Sequence, residues 1–281
     1  MFLKLETLQP TFSYKIRGAF NVVLKLREER GGEAPELVTA SAGNHGRALA
    51  YAAHAAGLRL TVYVPEHAPR VKIDAIRRAG AAVKGCRDYD EAEVRAKEHG
   101  STGEALFVSP YSHPDVIAGA GTVGLEILDE RPDIDAIVVP VGGGGLISGI
   151  ATAAGAISER TSVIGVEVEA SAPFTHSLAA GRIVPIAVGP TLADGLSGNL
   201  DPDTVTFDIV RSLVKRIVLV SERQLAEGIA GIAREERLIA EGAGAVGAAA
   251  MIAGKVDAAG RRVAVILSGA NIDLDRLKTL I

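Results

Sequence analysis

The feature that most constrains this chain is a regular alternation of short apolar runs with alanine-rich stretches. The apolar runs are rich in Val, Ile and Leu, which is typical of strands buried on both faces. The stretches between them have helical spacing and include residues 46–56, 70–79 and 224–235. The alternation predicts an α/β fold whose sheets are largely parallel and covered by helices on both faces. The predicted strands are residues 37–39, 60–64, 81–83, 106–108, 137–141, 163–168, 217–220 and 263–267.

The predicted strands fall into two groups, which indicates two doubly wound lobes. The first group ends at residue 108 and the second begins at residue 137. Two prolines interrupt regular structure in the segment SPYSHP, residues 109–114, where we expect the chain to cross from one lobe to the other. We therefore predict a larger domain from residues 1–26 and 113–281, and a smaller domain from residues 27–112.

Composition excludes several classes of protein. A hydrophobic fraction of 48% in 281 residues is enough for a sizeable core. The net charge of −4 gives no electrostatic basis for binding nucleic acid or an acidic membrane surface, and no apolar run is long enough to span a bilayer. The only cysteine, Cys86, excludes an intramolecular disulfide and favours a reducing, cytoplasmic setting. We expect a small-molecule substrate and, as the commonest arrangement, a homodimer.

A run of glycines carries the strongest chemical signal. Gly142, Gly143, Gly144 and Gly145 lie directly between an apolar strand and a helix in VVPVGGGGLISGIA. Without side chains, several backbone N–H groups can point at one anion, next to the positive end of the helix. The run lacks the Lys-Ser/Thr ending of a nucleotide P-loop and the acidic residue of the dinucleotide fingerprint. It predicts a phosphate site; the alternative is a tight turn without a ligand, for which one or two glycines would suffice.

The segment TASAGNHGRALA, residues 39–50, also joins a strand to a helix. Ser41, Gly43, Asn44 and His45 place donors at the helix start, which suits a carboxylate. The Asn44 amide is also suited to a phenolate or carbonyl oxygen. The alternative is an ordinary helix cap made by Ser41 or Asn44.

A lysine near the chain start has an unusual setting. Lys15 lies in SYKIRGA among small and apolar residues, whereas lysines usually lie on the surface, which favours a chemical role for this amine. Ser268 follows a strongly apolar strand, at the edge where ligands of open α/β sheets bind. Gly195 in TLADGLSG and Glu241 in AEGAGAVG are weaker candidates, and plain turns would explain each of them.

Together these motifs resemble the fold-type II pyridoxal-phosphate enzymes, within them the threonine/serine dehydratase and serine racemase group. SYKIRGA, SAGNHG, GGGGL and LSGAN match motifs of that family in order, over essentially the whole chain. The resemblance implies that Lys15 binds pyridoxal 5′-phosphate covalently and that Ser268 faces the pyridine nitrogen. It also implies that the larger domain binds the cofactor and that the smaller domain is mobile. It implies further contacts with the cofactor from Tyr14, Asn44, Gly142, Gly143, Gly144, Gly145, Leu146, Gly195 and Glu241. It assigns the substrate carboxylate to Ser41, Ala42, Gly43, Asn44 and His45.

The resemblance implies a β-elimination in which L-threonine or L-serine gives 2-oxobutyrate or pyruvate plus ammonia. A serine at the pyridine nitrogen does not force that nitrogen to stay protonated, which favours rapid loss of the β-hydroxyl. Ala42 stands where racemases have an acidic serine, which favours elimination over racemisation. The alternatives are a racemase, a dehydratase of 3-hydroxyaspartate or phenylserine, and a cofactor-binding protein without catalysis.

Three departures from the family pattern bear on these expectations. Phe12 replaces a glycine of the relatives, which predicts a strained turn or altered substrate entry. Glu167 matches one ligand of a cation site, but Pro173 stands in place of the aspartate, so we predict no metal. The relatives have a strand and a helix before the segment KLE, residues 4–6, which predicts a shortened N-terminal lead-in and is the basis of the non-catalytic alternative.

Overall fold

The computed structural model describes residues 1–30 and 33–281, in which strands and helices alternate. The strands are β1 (Phe2–Leu5), β2 (Glu36–Ala40), β3 (Leu60–Pro65), β4 (Ala82–Cys86), β5 (Ala105–Phe107), β6 (Ala136–Pro140), β7 (Ser162–Val168), β8 (Arg216–Val220) and β9 (Val263–Leu267). The helices are α1 (Lys15–Arg30), α2 (Asn44–Ala55), α3 (Arg70–Arg78), α4 (Tyr89–Ser101), α5 (Pro114–Glu130), α6 (Gly145–Ile157), α7 (Pro173–Ala180), α8 (Thr206–Leu213), α9 (Glu222–Gly231), α10 (Gly242–Ile252) and α11 (Leu274–Lys278). Strands β2 to β9 overlap the predicted runs.

The described residues pack as two compact units. The larger unit consists of Met1–Tyr14 and Ala120–Ile281, and the smaller unit of Lys15–Gly119. The predicted boundaries, after residue 26 and before residue 113, differ from this division because they leave residues 15–26, which are most of α1, and residues 113–119 outside the smaller domain. Ile16, Ala19 and Val23 of α1 are buried in the hydrophobic core of the smaller unit, which explains its place there. The mobility of the smaller domain stays a prediction.

The larger unit contains a parallel sheet with the strand order β1-β9-β6-β7-β8. Successive residues of β6 belong to two different cores. Ala136 and Val138 pack in the core that contains α9 and α10, whereas Ile137 and Val139 pack in the core that contains α5, α6 and α8. Helices therefore cover both faces of this sheet, as the continuous apolar runs predict.

The smaller unit contains a parallel sheet with the strand order β4-β3-β2-β5. Leu60, Val62 and Val64 of β3 face the core formed with α1 and α2, and Tyr63 faces the core formed with α4. The predicted α/β class with parallel sheets is confirmed in both units.

Strand β1 is not among the predicted strands. Its sequence FLKL pairs in parallel with β9, from Phe2 opposite Ala264 to Leu5 opposite Leu267. Four residues carry too little periodicity to identify a strand, so only the pairing with β9 reveals it. Among the described helices, none combines the length and the apolar character needed to cross a membrane.

Candidate active site

The predicted site residues of the larger unit follow the carboxyl ends of neighbouring strands. The glycine loop, defined as residues 142–145, comes shortly after β6, and Ser268 comes directly after β9. Because β6 and β9 pair in parallel, both segments lie at the same edge of the sheet. That edge is where open α/β folds bind their ligands.

The glycine loop has a backbone that only glycine tolerates at Gly144. This residue precedes α6 with a φ of 86°, in the left-handed region. A Cβ at Gly144 would lie 2.5 Å from Cζ of Phe174 and 2.9 Å from Cβ of Thr206. A Cβ at Gly142 would lie 3.0 Å from the Cα of Leu196. The loop is therefore enclosed by side chains and backbone of the same unit.

The N–H groups of the glycine loop fit an anion. In the described part of the chain, no backbone or side-chain oxygen accepts a hydrogen bond from the N–H of Gly142, Gly143, Gly144 or Gly145. Gly144 and Gly145 are buried, and unpaired buried N–H groups are costly unless a ligand binds them. The N-terminus of α6 adds a positive partial charge at the same place. A phosphate group suits this arrangement.

The structure brings the other predicted cofactor residues of the larger unit to the same edge. The buried Ser268 hydroxyl donates to the carbonyl of Ala243 at 3.4 Å. The Glu241 N–H donates to the Gly269 carbonyl at 3.0 Å, and a Cβ at Gly195 would lie 3.1 Å from the Cβ of Ala243. Ser268, Glu241 and Gly195 therefore surround the start of α10.

Residues just before the candidate lysine are fixed to the Ser268 segment. The Tyr14 N–H donates to the Ser268 carbonyl at 3.0 Å, and Ser13 forms a β-bridge with Gly269. The Phe12 carbonyl accepts from the Ala270 N–H at 2.9 Å. Phe12 has a φ of 57°, which is left-handed and strained for a residue other than glycine. The expectation of a strained turn at this position is confirmed.

Lys15 is the first residue of α1 and lies in the smaller unit. Its partly buried Nζ donates to the carbonyl of Pro110 at 2.6 Å. Pro110 belongs to the segment SPYSHP, which follows β5. This carbonyl keeps the amine in one orientation. No pattern in the sequence pairs residue 15 with residue 110, and only the fold places them together.

The carboxylate loop, defined as residues 41–45, leads from β2 into α2. The Ser41 hydroxyl accepts from the Gly43 N–H at 3.2 Å, and the Ser41 N–H donates to the Tyr63 carbonyl at 3.2 Å. Asn44 is the first residue of α2, and no side chain caps this helix at Gly43. The helix start therefore retains its attraction for a carboxylate.

His45 is buried and neutral. Its Nε2 lies 3.2 Å from the Val108 carbonyl, which can only accept, so Nε2 carries the hydrogen and Nδ1 is an acceptor. Nδ1 is buried without a hydrogen-bond partner among the described residues. Burial, with a smaller contribution from the positive charge of Lys15, lowers the pKa of His45 to about 3. His45 thus offers a lone pair and no positive charge at neutral pH.

The predicted site residues thus form two groups. Lys15, Ser41, Ala42, Gly43, Asn44 and His45 lie in the smaller unit. Tyr14, Gly142, Gly143, Gly144, Gly145, Leu146, Gly195, Glu241 and Ser268 lie in the larger unit. Their individual roles stay predictions. Contacts of the site that were not predicted involve Pro110, Thr206 and Phe174, whose local sequences resemble ordinary loops and helix starts.

Glu167, the candidate cation ligand, is saturated by protein donors. Its carboxylate accepts from the N–H of Phe174 at 2.8 Å, from the N–H of Thr175 at 2.9 Å and from the Thr175 hydroxyl at 2.6 Å. Glu167 is fully buried, and burial raises the pKa of its carboxyl. Glu167 lies in β7, and because its carboxylate accepts from two N–H groups of the first turn of α7, it caps that helix. Within residues 1–30 and 33–281, no group of three or more His, Cys, Asp or Glu side chains is arranged to hold a metal ion.

Comparison with known proteins identifies relatives over the whole chain. Residues 1–269 match the family described as pyridoxal-phosphate dependent enzyme. The chain is 42% identical to an L-threonine ammonia-lyase of Thermotoga maritima over 284 aligned residues, which cover 100% of this chain and 69% of that protein. The fold is similar to the processed form of threonine deaminase isoform 2 from Solanum lycopersicum, with a TM-score of 0.90 and 36% identity over 99% of this chain and 81% of that one. It is equally similar to maize serine racemase, with a TM-score of 0.90 and 31% identity over 99% of this chain and 85% of that one.

Proposed function

This chain belongs to the pyridoxal-phosphate-dependent enzymes, and from that premise we propose that it is an ammonia-lyase acting on L-threonine. The reaction converts L-threonine into 2-oxobutyrate and ammonia; the water lost in elimination is regained in hydrolysis, so no oxidant or reductant is needed. The observation that carries the proposal is the 42% identity over the whole chain to an L-threonine ammonia-lyase. L-Serine, which would give pyruvate, is proposed as a second substrate because one methyl group changes binding by only ~1–3 kcal/mol.

The residues present fit pyridoxal phosphate. The unpaired N–H groups of the glycine loop suit its phosphate, and the buried Ser268 hydroxyl suits a pyridine nitrogen. When bound, the cofactor supplies an electron sink for the negative charge that develops at the substrate α-carbon. Tyr14, Asn44, Leu146, Gly195 and Glu241 are proposed as the further residues that hold it.

Lys15 is proposed to have two roles. Its amine would hold the cofactor covalently, and Nζ would accept the α-proton of the substrate as general base. The Pro110 carbonyl, 2.6 Å from Nζ, limits the positions that the amine can occupy. A fixed position of the base lowers the barrier to proton transfer, because this transfer requires a short and aligned approach.

The carboxylate loop is proposed to bind the substrate carboxylate. Ser41, Ala42, Gly43, Asn44 and His45 lie at or just before the start of α2, whose positive end attracts an anion. His45 stays neutral and its Nε2 hydrogen goes to the Val108 carbonyl, so its ring adds neither a positive charge nor a free donor to the site. Ala42 offers no acidic hydrogen, which favours elimination over proton return to the opposite face.

Amino-acid racemisation is the second candidate, since a serine racemase shares this fold at 31% identity. A racemase would invert the α-carbon and give D-allothreonine from L-threonine or D-serine from L-serine, whereas a lyase produces keto acid and ammonia in equal amounts. The third candidate is dehydration of 3-hydroxyaspartate or phenylserine by the same residues. A panel of these amino acids, with chiral chromatography of the remaining substrate, separates the candidates.

The test is an absorbance spectrum of the purified protein with pyridoxal phosphate, followed by addition of L-threonine. We expect a band of covalently bound cofactor, then steady formation of 2-oxobutyrate with one ammonia for each keto acid. A band of bound cofactor with no keto acid from L-threonine or L-serine would contradict the proposed activity. Absence of the band would contradict the role of Lys15 as well.

We also propose that the protein is cytoplasmic and dimeric. The single cysteine, Cys86, is buried as a free thiol, which suits a reducing compartment. Light scattering of the purified protein would give its mass in solution; 29.1 kDa is the mass of one chain. A particle of that mass would contradict the dimer.

A further inference from the structure

A pair of hydroxyls that the proposed function does not use, those of Thr204 and Thr206, lies against the glycine loop. The Thr206 hydroxyl donates to the carbonyl of Gly143 at 2.8 Å. Thr206 is the first residue of α8 and is fully buried in the larger unit. Among the described residues, Thr206 is the one whose side chain forms a hydrogen bond with a residue of the glycine loop.

The direction of this hydrogen bond follows from proton counting. A threonine hydroxyl has one hydrogen, and that of Thr206 goes to Gly143 because a carbonyl oxygen only accepts. The hydroxyls of Thr204 and Thr206 lie 2.8 Å apart, so Thr204 must be the donor to Thr206. The Thr206 N–H in turn donates to the Thr204 hydroxyl at 3.3 Å. Thr204 therefore holds Thr206 in the rotamer that reaches Gly143.

The orientation of the Gly143 carbonyl also sets the direction of a donor. In a planar trans peptide, the C=O of one residue and the N–H of the next point in opposite directions. Fixing the Gly143 carbonyl against Thr206 therefore directs the Gly144 N–H away from Thr206. This N–H has no acceptor among the described residues and belongs to the group suited to a phosphate.

The Gly143–Gly144 peptide would otherwise be free to rotate. Glycine has no side chain to resist a peptide flip, and consecutive glycines have the largest conformational freedom of any sequence. Phe174 and Thr206 enclose Gly144 on its Cα side, at 2.5 Å and 2.9 Å from where a Cβ would lie. Among the described residues, Thr206 is the hydrogen-bond donor to the carbonyl of this peptide, and packing against Cα alone does not set the orientation of the peptide plane.

We propose that Thr206, held by Thr204, is a positioning residue for phosphate binding: it fixes the Gly143–Gly144 peptide so that the Gly144 N–H points at the ligand phosphate. The proposal rests on the proposed function only in taking pyridoxal phosphate as the ligand. It assigns Thr206 no contact with the cofactor. Its action is on the phosphate end alone, which makes it separable from a general effect on folding.

The test compares Thr206→Val with wild type for binding of pyridoxal phosphate and of pyridoxal, which lacks the phosphate. Both dissociation constants are measured on apoprotein by absorbance titration. We expect Thr206→Val to weaken pyridoxal phosphate about fivefold to tenfold, the usual effect of one lost hydrogen bond, and to leave pyridoxal binding unchanged. Thr206→Ser keeps the hydroxyl and should restore most of the affinity for pyridoxal phosphate.

The matched control is Thr161→Val in the same unit. The Thr161 hydroxyl donates to the Ile134 carbonyl at 2.8 Å and lies 2.8 Å from the Ser158 hydroxyl, so the substitution removes the same pair of bonds. It lies before β7, at the opposite end of the strands from the glycine loop. We expect a similar fall in Tm for Thr161→Val and Thr206→Val, but unchanged affinity for both ligands in the control.

The outcomes are distinct. Equal weakening of pyridoxal phosphate and pyridoxal by Thr206→Val would mean a purely structural role and would overturn the proposal, as would unchanged affinity for both. If Thr206→Val does not fold, Thr204→Val removes only the supporting hydroxyl and should show the same selectivity in weaker form; no selectivity there overturns the proposal. Failure of the wild type to bind pyridoxal phosphate would instead overturn the proposed function.

Discussion

The glycine loop of the larger unit and the carboxylate loop of the smaller unit are both proposed to bind an anion, but they are built differently. Each follows a buried parallel strand and leads into a helix, so each offers an anion the positive end of that helix. The glycine loop uses backbone N–H groups and is shaped by surrounding residues, of which Thr206 and Phe174 are examples. The carboxylate loop has side chains, and Ser41 already accepts a hydrogen bond from its own loop.

The difference teaches which substitutions each loop tolerates. In the glycine loop the constraint is steric. A Cβ at Gly144 would clash with Phe174, and the positive φ of this residue disfavours any side chain. In the carboxylate loop a Cβ at Gly43 would meet only the Ser41 hydroxyl, at 4.0 Å. The carboxylate loop therefore depends on the chemistry of its side chains, and the glycine loop on their absence. Four predictions, in order of decreasing effect, test this contrast and the residues next to it.

The largest effect is expected from Lys15→Ala, which removes a chemical group that neither loop supplies. We expect the band of covalently bound cofactor to disappear and 2-oxobutyrate formation to fall by at least about 10³-fold. Lys25→Ala is the control, because Lys25 lies on the same helix but is exposed and paired with Asp115 at 2.8 Å. A Lys15→Ala protein that retains activity would remove the basis of the proposed chemistry.

Gly144→Ala should reveal the steric constraint of the glycine loop. A left-handed φ and a clash with Phe174 together predict a loss of roughly 2–4 kcal/mol in the free energy of unfolding, with weakened cofactor binding. Gly43→Ala, at a φ of −103°, should change the free energy of unfolding by no more than about 0.5 kcal/mol. Denaturant unfolding of both apoproteins measures the difference; equal losses would refute the contrast between the loops.

His45 should make stability depend on pH through the carboxylate loop. Its folded-state pKa of about 3 lies below the ordinary 6.5, so the unfolded chain binds a proton first as pH falls. The free energy of unfolding should therefore fall below pH 6.5, by about 2–3 kcal/mol between pH 7 and pH 4.5 from this group. Above pH 7 the contribution is constant.

The measurement is the unfolding free energy across this pH range for wild type, His45→Gln and His67→Gln. Only His45→Gln should lose the fall of about 2–3 kcal/mol in unfolding free energy between pH 7 and pH 4.5, since His67 is exposed. Lys15 and His113 are the charged groups that also lower the pKa of His45, and both remain in the variant. Parallel pH curves for wild type and His45→Gln would show that His45 is not held neutral by the fold.

The smallest effect is expected from Phe12→Gly. Among the described residues, Phe12 and Arg237 are the non-glycine residues with positive φ, and both lie in the larger unit. Relief of left-handed strain, offset by the entropy of glycine, should stabilise the protein by about 0.5–1 kcal/mol, a rise in Tm of about 1–4 °C. Arg237→Gly is the matched comparison. A lower Tm for Phe12→Gly would mean that its ring contributes more than the strain costs.

Local sequence determined most of the strands and helices and the segments proposed to carry the chemistry. The apolar runs match β2 to β9, and SYKIRGA, SAGNHG and GGGGL mark three proposed site segments, because periodicity and glycine content act over a few neighbouring residues. Strain at Phe12 was predicted from the family resemblance rather than from local sequence, and its φ of 57° agrees with that prediction.

Tertiary structure alone decided how these segments pair. It placed β1 beside β9, buried α1 in the smaller unit, and joined Lys15 to the Pro110 carbonyl and Gly143 to Thr206. Each of these contacts joins residues far apart in the chain, and none requires an unusual residue type at either end. Hydrophobic packing sets which segments meet. Ordinary carbonyls and hydroxyls then form specific contacts because of where the fold places them.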